Sequence, residues 1–431
     1  MLKPLHYLTM LTAVFTKPAA ALFLRIAEGW ALCPSRRTLT NIYHYGDPQR
    51  IINVDATHYF FRDGKWESAE LWEQHARTVI SRLAPDDEVL TLTLDDTTHH
   101  KTGPHIDGAR TCRDAVRSTK KKVVYCWALQ FIPLCLRVHP PWGGEPLSIP
   151  LNCRLNRKAE DGEEPVTLLD HAKAMVQELA NWFPGKRFRL VADGAFAPLA
   201  GQDLPRTVVI SRLRSDAAIY DLPSPRRPGQ RGRPAMKGAR LPSPKTIAKQ
   251  AQDWQWVETT ERGVKRERLV HTRMVIWAHV SKDPILLVIS RDPEGKEADD
   301  FFFSTDTTDT PALVVSDFAD RWSVEDTFRN VKQFLGAEEP QSWMRAGPER
   351  AGGFSYLMYG AIWLDRIERE GQEVAHLDRP WYWHKTAVSF QDALADVRTR
   401  LWENRINTMS AKMDDLGEIH KTLIEAVAWA S

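Results

Sequence analysis

The order of strand and helix patterns between residues 88 and 211 constrains the fold more than any other feature of the sequence. Apolar and polar residues alternate over 88–94, and the segment 122–139 is rich in β-branched and aromatic residues but contains Pro133. The predicted elements are, in order, a strand over 88–94, a hairpin of two strands broken at Pro133 over 122–139, a helix over 165–183, and strands over 187–192 and 207–211. Because a long helix between strands implies a parallel crossover, we expect an α/β fold with a mixed sheet covered by helices.

Composition excludes several classes of protein. The chain has 431 residues, of which 43% are apolar and 26% charged, so a mainly disordered or collagen-like chain is excluded. At roughly 150 residues per domain, the length suggests about three domains. The five cysteines are odd in number and form no C-x-x-C motif, which indicates a reduced, intracellular protein without a zinc knuckle.

The N-terminal region is expected to be helical. Its apolar stretch, 5–24, is interrupted by Lys17 and Pro18, and each half is shorter than the roughly 20 residues that span a bilayer. Two short helices are therefore expected rather than a membrane anchor, with a signal peptide as the alternative. Residues 1–85 contain 10 basic and 7 acidic side chains, a net charge of +3 that permits contact with DNA.

Charge is distributed unevenly along the rest of the chain, although the total is only +2. The segment 212–249 carries ten basic and two acidic residues, or +8, with six prolines between 223 and 244. It is either a solvated loop or, as we favour, a site for a polyanion, because Lys and Arg neutralise phosphates. Strand patterns over 254–260, 266–271, 273–280 and 284–290 predict a β-rich insertion. Residues 336–431 have 11 basic and 15 acidic residues, or −4, which favours packing or dimer contacts over DNA.

Two aspartates follow predicted strands. Asp96 comes after the strand at 88–94 and Asp193 after the strand at 187–192. Sites in α/β sheets gather at the carboxyl ends of neighbouring strands, and carboxylate oxygens are ligands that Mg²⁺ prefers. The two side chains could therefore share a divalent ion, although aspartates in these positions are also common turn formers and helix caps.

A third carboxylate lies on a long helix predicted from Pro311 to about Leu335. At 3.6 residues per turn, Phe318, Arg321, Glu325 and Lys332 fall on one stripe beside an apolar stripe. The four side chains are thus expected at the edge of the buried face, where a cleft would be. Surface ion pairs are the alternative interpretation.

These motifs resemble those of insertion-sequence DDE transposases of the cut-and-paste type. The spacing of Phe318, Arg321, Glu325 and Lys332 resembles the Y-R-E-K signature, with Phe in place of Tyr. The run LDDTT at 94–98 resembles the first-aspartate motif, and VAD at 191–193 resembles the second. The basic runs RDAVRSTKKK at 113–122 and RGRP at 231–234 are also similar to one branch of these enzymes.

The resemblance implies a ribonuclease-H-like catalytic core with a β-rich insertion, in which Asp96, Asp193 and Glu325 bind two Mg²⁺ ions, or Mn²⁺ in their place. Such a site cleaves the inverted-repeat ends of an element and transfers them to target DNA. Asp95 is the rival first ligand. Strand alternation points Asp95 and Asp96 to opposite faces, and the D-T-x pattern of the family favours Asp96. The implied regions are 1–85 (helical, possible DNA-end binding), 86–212 (first part of the core), 213–310 (basic loop and insertion), 311–340 (core helix) and 341–431 (helical, possible dimer contacts).

The resemblance also implies double-stranded DNA as the partner, a homodimer in the synaptic complex, neither membrane nor nucleotide cofactor, and a cytoplasmic, nucleoid-associated location in a bacterium. The candidate DNA-binding residues are Phe318, Arg321, Lys332, Arg226, Arg227, Arg231, Arg233, Lys237, Lys120, Lys121 and Lys122. Core packing is favoured over base stacking for Trp254, Trp256 and Trp277. For His99 and His100, a position that is solvated or lies behind the ligands is favoured over direct metal binding. Two other functions stay open: an inactive or domesticated DNA-binding relative, and a carboxylate hydrolase of small substrates.

Overall fold

The fold is described from a computed structural model, which covers residues 4–114, 116–119, 121–158, 164–225, 233, 235–369 and 387–410. The helices are α1 (Lys17–Leu32), α2 (Leu39–Gly46), α3 (Val54–Arg62), α4 (Ser68–Leu83), α5 (Leu168–Trp182), α6 (Pro244–Gln250), α7 (Pro311–Asp320), α8 (Ser323–Leu335), α9 (Gly347–Ile367) and α10 (Phe390–Ser410). Shorter 3₁₀ helices span His6–Val14 and Gly194–Gly201. The strands are β1 (Val89–Leu94), β2 (Thr97–His100), β3 (Arg110–Arg113), β4 (Tyr125–Val138), β5 (Leu147–Leu155), β6 (Arg187–Ala192), β7 (Thr207–Arg212), β8 (Gln255–Glu261), β9 (Val264–Val275), β10 (Ile285–Arg291) and β11 (Asp300–Ser304).

The described strands form one mixed sheet of 11 strands. Its order is β2-β4-β1-β6-β7-β11-β10-β9-β8, and β3 and β5 also pair with β4. The β1, β6 and β7 strands are parallel to one another, whereas β4 is antiparallel to both of its neighbours β1 and β5. Helices α4, α8 and α9 pack against β5, α5 packs against β4, and α7 packs against β6 and β7. The predicted α/β class, a ribonuclease-H-like mixed sheet with flanking helices, is confirmed.

The segment 122–139 differs from the prediction. It forms the single strand β4, which runs through Pro133, and its hairpin partner is β5. On its other side, β4 pairs with β1 and β2 in one continuous register, Leu94 with Leu134 and Thr97 with Phe131. Asp95 therefore lies opposite Pro133, which has no N–H to donate. The interruption falls between β1 and β2 rather than within β4.

The strands after residue 254 continue the same sheet beyond β7. The predicted hairpin turn at 261–263 is confirmed between β8 and β9, but β9 is one strand where two were predicted, and β11 was not predicted. The turn needs glycine at Gly263, because its φ is +77° and a Cβ there would lie 2.3 Å from the carbonyl oxygen of Gly144. This close approach fixes the β8–β9 turn against the loop after β4.

The N-terminal region forms two helical segments, as predicted. The 3₁₀ helix at His6–Val14 is separated from α1, which begins at Lys17 with Pro18 in its first turn. In the part of the chain that the structure describes, no helix is long and apolar enough to cross a membrane. Aromatic side chains of this region pack on α9, with Trp30 and Phe23 both against Phe354.

Candidate active site

Asp95 and Asp193 lie side by side at the carboxyl ends of two parallel strands. The last paired residues of β1 and β6 are Leu94 and Ala192, so the next residue of each strand is an aspartate. Neighbours in register on parallel strands point to the same face of the sheet. Asp193 also begins the 3₁₀ helix, because its Oδ1 accepts a hydrogen bond of 2.8 Å from the Ala195 N–H.

Arg321 links Glu325 to Asp95. Its Nη1 donates to Asp95 Oδ2 at 2.7 Å and lies 4.0 Å from Glu325 Oε1. The guanidinium is almost fully buried, whereas Glu325 is partly exposed. Three of the residues predicted on one helical stripe therefore meet here, since the Phe318 ring lies 5.4 Å from Arg321 Cζ.

The electrostatics of Asp95 reflect this crowding. Burial raises the pKa of the Asp95 carboxyl from 3.8 to about 7. Arg321 lowers this pKa, while the negative charges of Asp193, Glu325 and Asp96 raise it further. The positive charge of Arg321 is thus too small an effect to cancel the rise in pKa caused by burial and by the three neighbouring carboxylates. A divalent cation would relieve the repulsion among these carboxylates.

Asp96 has different contacts. Gln130 Nε2 donates to Asp96 Oδ2 at 2.6 Å. Burial raises the pKa of Asp96, the Gln130 hydrogen bond lowers it, and Asp193 raises it. The sequence pattern favoured Asp96 as the first ligand, but Asp95 is the carboxylate that contacts Arg321. Along β1, Thr91, Thr93 and Asp95 alternate with the leucines of the other face.

The helix that carries Glu325 also departs from the prediction. The single helix expected over 311–335 is divided into α7 and α8, with Arg321 and Trp322 at the junction. The Trp322 N–H bonds to the Ala319 carbonyl and the Val324 N–H to the Arg321 carbonyl, which are the i to i+3 bonds of a tighter turn. This junction sets the position of the Arg321 guanidinium beside Asp95.

Buried ion pairs anchor the junction to the sheet. Arg137 of β4 donates to Asp317 at 2.5 Å, and Arg189 of β6 lies 3.6 Å from the same carboxylate. Asp320 accepts a 2.9 Å hydrogen bond from the backbone N–H of Arg262 in the β8–β9 turn. These aspartates lie outside the signature motif, and no sequence pattern singled them out.

A chain of hydroxyl groups fixes the start of α8. Thr93 Oγ1 lies 2.7 Å from Ser148 Oγ, which lies 2.6 Å from Ser323 Oγ. Thr327 Oγ1, one turn further along α8, donates to the Ser148 carbonyl at 2.8 Å. Because these groups join β1, β5 and α8, they hold the helix that carries Glu325 against the strand that carries Asp95.

A cleft of 710 Å³ opens beside Arg321, between α7 and strands β8 to β11. Its wall on the α7 side carries Phe318, whose ring packs 4.6 Å from Phe302, and the half-exposed Trp322. The basic side chains of the cleft are Arg212, Arg262, Arg266, Arg268 and Arg321, and the acidic ones are Glu145, Glu261, Glu297 and Asp300. Arg268 is held by Glu261 and Glu297. Arg212 is paired with Asp300, and its Cζ lies 5.7 Å from the Phe318 ring.

Lys332 lies beyond Glu325 on α8. Its Nζ is 4.0 Å from Glu338 Oε1. Burial lowers the pKa of Lys332, and the charges of Glu338, Asp114, Cys126 and Glu325 raise it. Lys332 is therefore a partly buried cation beside Glu338 and not an exposed surface lysine.

The other predicted residues lie apart from this cluster. Lys121 and Lys122 are exposed in the loop before β4, and Arg233 is exposed, while Lys237 Nζ lies 3.8 Å from the Tyr220 ring centroid. Residues outside the described ranges are Lys120, Arg226, Arg227 and Arg231. His99, expected to be solvated or to lie behind the ligands, is buried and bonds to the Tyr356 hydroxyl at 3.0 Å, because its side chain faces α9.

The three tryptophans of the predicted insertion differ from one another. Trp277 is buried in the core, and Trp254 packs under Arg291, whose Cζ lies 4.0 Å from the ring. Trp256, which was also expected to pack in the core, is 63% exposed. It lies on the edge strand β8, where half of its side chains face solvent.

Comparison with known families identifies the family of the chain. The family model described as DDE superfamily endonuclease matches residues 11–277. The match covers more than half of the chain, and the chain belongs to this family. A search of curated proteins found none that matches. The matched span contains Asp95, Asp96 and Asp193 and ends before Glu325.

Membership of this family defines the general class of activity. The function is of the nuclease or transposase type, the substrate is DNA, and nucleases of this superfamily depend on divalent metal ions.

Proposed function

We propose that the protein is a DNA transposase of the insertion-sequence cut-and-paste type. It cleaves phosphodiester bonds at the inverted-repeat ends of an element and joins the freed ends to target DNA. The observation that carries this proposal is that Asp95 and Asp193 follow the last paired residues of two parallel strands, and that Arg321 of the α7–α8 junction lies between Asp95 and Glu325.

The metal ligands in this proposal are Asp95, Asp193 and Glu325. Support for Asp95 in place of Asp96 comes from its register with Asp193 and its bond to Arg321. All three side chains offer oxygen donors, and their mutual repulsion, seen in the raised pKa of Asp95, suits a hard cation such as Mg²⁺ or Mn²⁺. Two such ions would activate the attacking hydroxyl and stabilise the leaving oxygen.

The cations of the site have a separate role. Arg321 orients Asp95 and supplies positive charge for a phosphate, which a guanidinium binds bidentately. Lys332 and the ring of Phe318 flank the same position. Phe318 lacks the hydroxyl of the family tyrosine, so its contribution is limited to packing and to the cation–π contacts with Arg212 and Arg321.

Regions further from the carboxylates would hold the DNA and the second subunit. The basic loop with Arg226, Arg227, Arg231, Arg233 and Lys237, and the lysines at 120–122, are proposed to contact DNA phosphates. Residues 1–85 are proposed to bind the element ends and 341–431 to form dimer contacts in the synaptic complex. The support is the charge distribution, +8 over 212–249 against −4 over 336–431.

The test is cleavage of the element's own ends by purified protein with Mg²⁺ or Mn²⁺. Asp95→Asn, Asp193→Asn and Glu325→Gln should each abolish cleavage and spare DNA binding. Asp96→Asn is the matched control and should retain cleavage. Loss of cleavage in Asp96→Asn but not in Asp95→Asn would overturn the choice of ligand. Cleavage by all of these variants would overturn the proposal itself.

The same experiment separates the other functions. DNA binding without cleavage in any divalent metal would identify an inactive or domesticated relative. DNA binding that is weak and independent of salt would instead favour a hydrolase of small substrates, because phosphate contacts weaken steeply with salt.

A further inference from the structure

A second group of metal-ligand side chains lies apart from the three carboxylates. His100, Asp114 and Cys126 each offer one ligand atom, and these atoms lie within 4.8 Å of one another. His100 Nε2 is 3.7 Å from Asp114 Oδ2. Across the described ranges, it is the one group of three His, Cys, Asp or Glu residues whose ligand atoms converge this closely.

The strand order brings the three residues together. His100 is the last residue of β2, Asp114 follows the last residue of β3, and Cys126 is the second residue of β4. Both β2 and β3 pair with β4, one on each side, at Ala128. The Asp114 N–H extends the β3 ladder by bonding to the Val124 carbonyl at 2.9 Å.

The carboxylate of Asp114 is an independent sign of a ligand. The residue is 4% exposed, and its Oδ1 accepts a 2.9 Å hydrogen bond from the Arg117 N–H. Its Oδ2 is buried and has no hydrogen-bond partner among the described residues, which is costly for a charged oxygen. Two cations lie near this oxygen without hydrogen-bonding to it. Arg117 Nε forms an ion pair with Oδ2 at 3.5 Å from a side chain that is 68% exposed, and Lys332 is close enough for the charges of Asp114 and Cys126 to raise its pKa.

We propose that His100, Asp114 and Cys126 bind a zinc-class divalent cation. Imidazole, carboxylate and thiolate are the ligands of Zn²⁺ and Co²⁺, whereas Mg²⁺ takes oxygen ligands. Bonds of roughly 2.0–2.3 Å place tetrahedral ligand atoms about 3.5 Å apart, close to the 3.7 Å between His100 and Asp114. Water would fill the fourth position.

Charge and protons balance in this binding. The Cys126 thiol loses its proton to solvent when it binds the ion, and the thiolate and the Asp114 carboxylate then neutralise the two positive charges. The ion would join both ends of the loop 114–126, which carries the exposed Lys121 and Lys122. The site does not depend on the proposed transposase activity.

The direct test is titration of the full-length protein with Co²⁺. A near-ultraviolet absorption band from a cobalt–thiolate bond should reach its limit at one equivalent, should be displaced by Zn²⁺, and should be unaffected by Mg²⁺. Cys126→Ser should remove the band. Asp114→Asn should weaken Co²⁺ binding by at least roughly 10–100-fold, which is the loss seen when a residue that only hydrogen-bonds to a metal ligand is replaced.

The matched control is Cys112→Ser. Cys112 lies directly opposite Cys126 in the β3–β4 pair but is not in the ligand group, so this variant should keep the band. Glu325→Gln should keep it as well, which separates this site from the carboxylate cluster. A band that persists in Cys126→Ser, or its loss in Glu325→Gln, would overturn the assignment.

A second measurement uses the unaltered protein and does not depend on how variants fold. Cys126 is partly exposed, whereas Cys33, Cys112, Cys135 and Cys153 are buried, so a thiol reagent should modify Cys126 first. Zn²⁺ should slow that modification, followed by mass spectrometry of the peptide, and Mg²⁺ should not. Equal rates with and without Zn²⁺, together with no cobalt–thiolate band, would refute the proposal.

Discussion

Replacement of Asp95 by asparagine should stabilise the metal-free protein at pH 8 while it abolishes cleavage. The pKa of Asp95 rises from 3.8 to about 7 on folding, first because the carboxyl is buried. Between about pH 4 and pH 7 the folded protein therefore holds a proton that the unfolded chain has lost. The free energy of unfolding of the unaltered protein therefore falls as the pH rises through this window. The asparagine variant has no carboxyl at this position and does not lose that stability.

The size of the effect follows from the pKa. A rise of about three units, at about 1.4 kcal/mol per unit, gives roughly 4 kcal/mol as an upper bound. The attraction of Arg321 is already contained in this pKa. The variant and the unaltered protein should thus be close in stability near pH 4 and differ by up to roughly 4 kcal/mol at pH 8.

The assay is unfolding of both proteins from pH 4 to pH 9 with a chelator present. The relevant quantity is the difference in the free energy of unfolding between the two proteins. The stability of each protein alone also depends on buried His75, whose effect on stability has the opposite pH dependence to that of Asp95. Burial lowers the pKa of His75 to about 4, so acid destabilises both proteins below about pH 6.5. Replacement of the exposed Asp203 by asparagine is the control, because it removes a carboxylate outside the cluster around Arg321.

The outcome that refutes the reasoning is a constant difference across the whole pH range. It would show that Asp95 keeps an ordinary pKa and that the carboxylates do not repel one another. Mg²⁺ gives a second check, because the ion competes with the proton for the same carboxyl. It should stabilise the unaltered protein at pH 8, stabilise Asp95→Asn much less, and lose affinity as the pH falls below about 7.

Three further predictions concern single contacts. Gly263→Ala should lower the free energy of unfolding more than Gly295→Ala does. Both glycines have a positive φ, which costs ~1 kcal/mol for alanine, but of the two only Gly263 would place a Cβ 2.3 Å from a backbone atom. Equal melting temperatures of the two variants would contradict this. Thr167→Ala removes a capping box with Asp170 at the start of α5 and should cost about 1 kcal/mol in chemical unfolding. Phe318→Leu should weaken binding of DNA ends in a gel-shift assay and Phe318→Tyr should not, since only the ring contacts Arg212 and Arg321.

The sheet and its central strands could be predicted because each carries a local signal. The alternation over 88–94 and the short run at 187–192 became the parallel pair β1 and β6, and the turn at 261–263 became the β8–β9 hairpin. These patterns depend only on which face of a strand is buried.

The features that were missed depend on partners far away in sequence. Pro133 looked like a strand break, but the break occurs opposite it, at Asp95. The α7–α8 junction is anchored by Arg137 and Arg189, which come from strands more than 100 residues earlier. The contacts that distinguish Asp95 from Asp96 are with Arg321 and Gln130, neither of which is a sequence neighbour.

The continuity of the sheet has a mechanical consequence. Strands β7, β11, β10, β9 and β8 are joined by uninterrupted hydrogen-bonded ladders to β6, which ends at Asp193. The wall of the 710 Å³ cleft therefore belongs to the same sheet as the strand that ends at Asp193, so a hinge motion of this wall would have to break strand ladders. If the proposed transposase brings a DNA end into this cleft, the cost of fitting the two together would fall mainly on the nucleic acid, and DNA sequences that deform easily would be favoured.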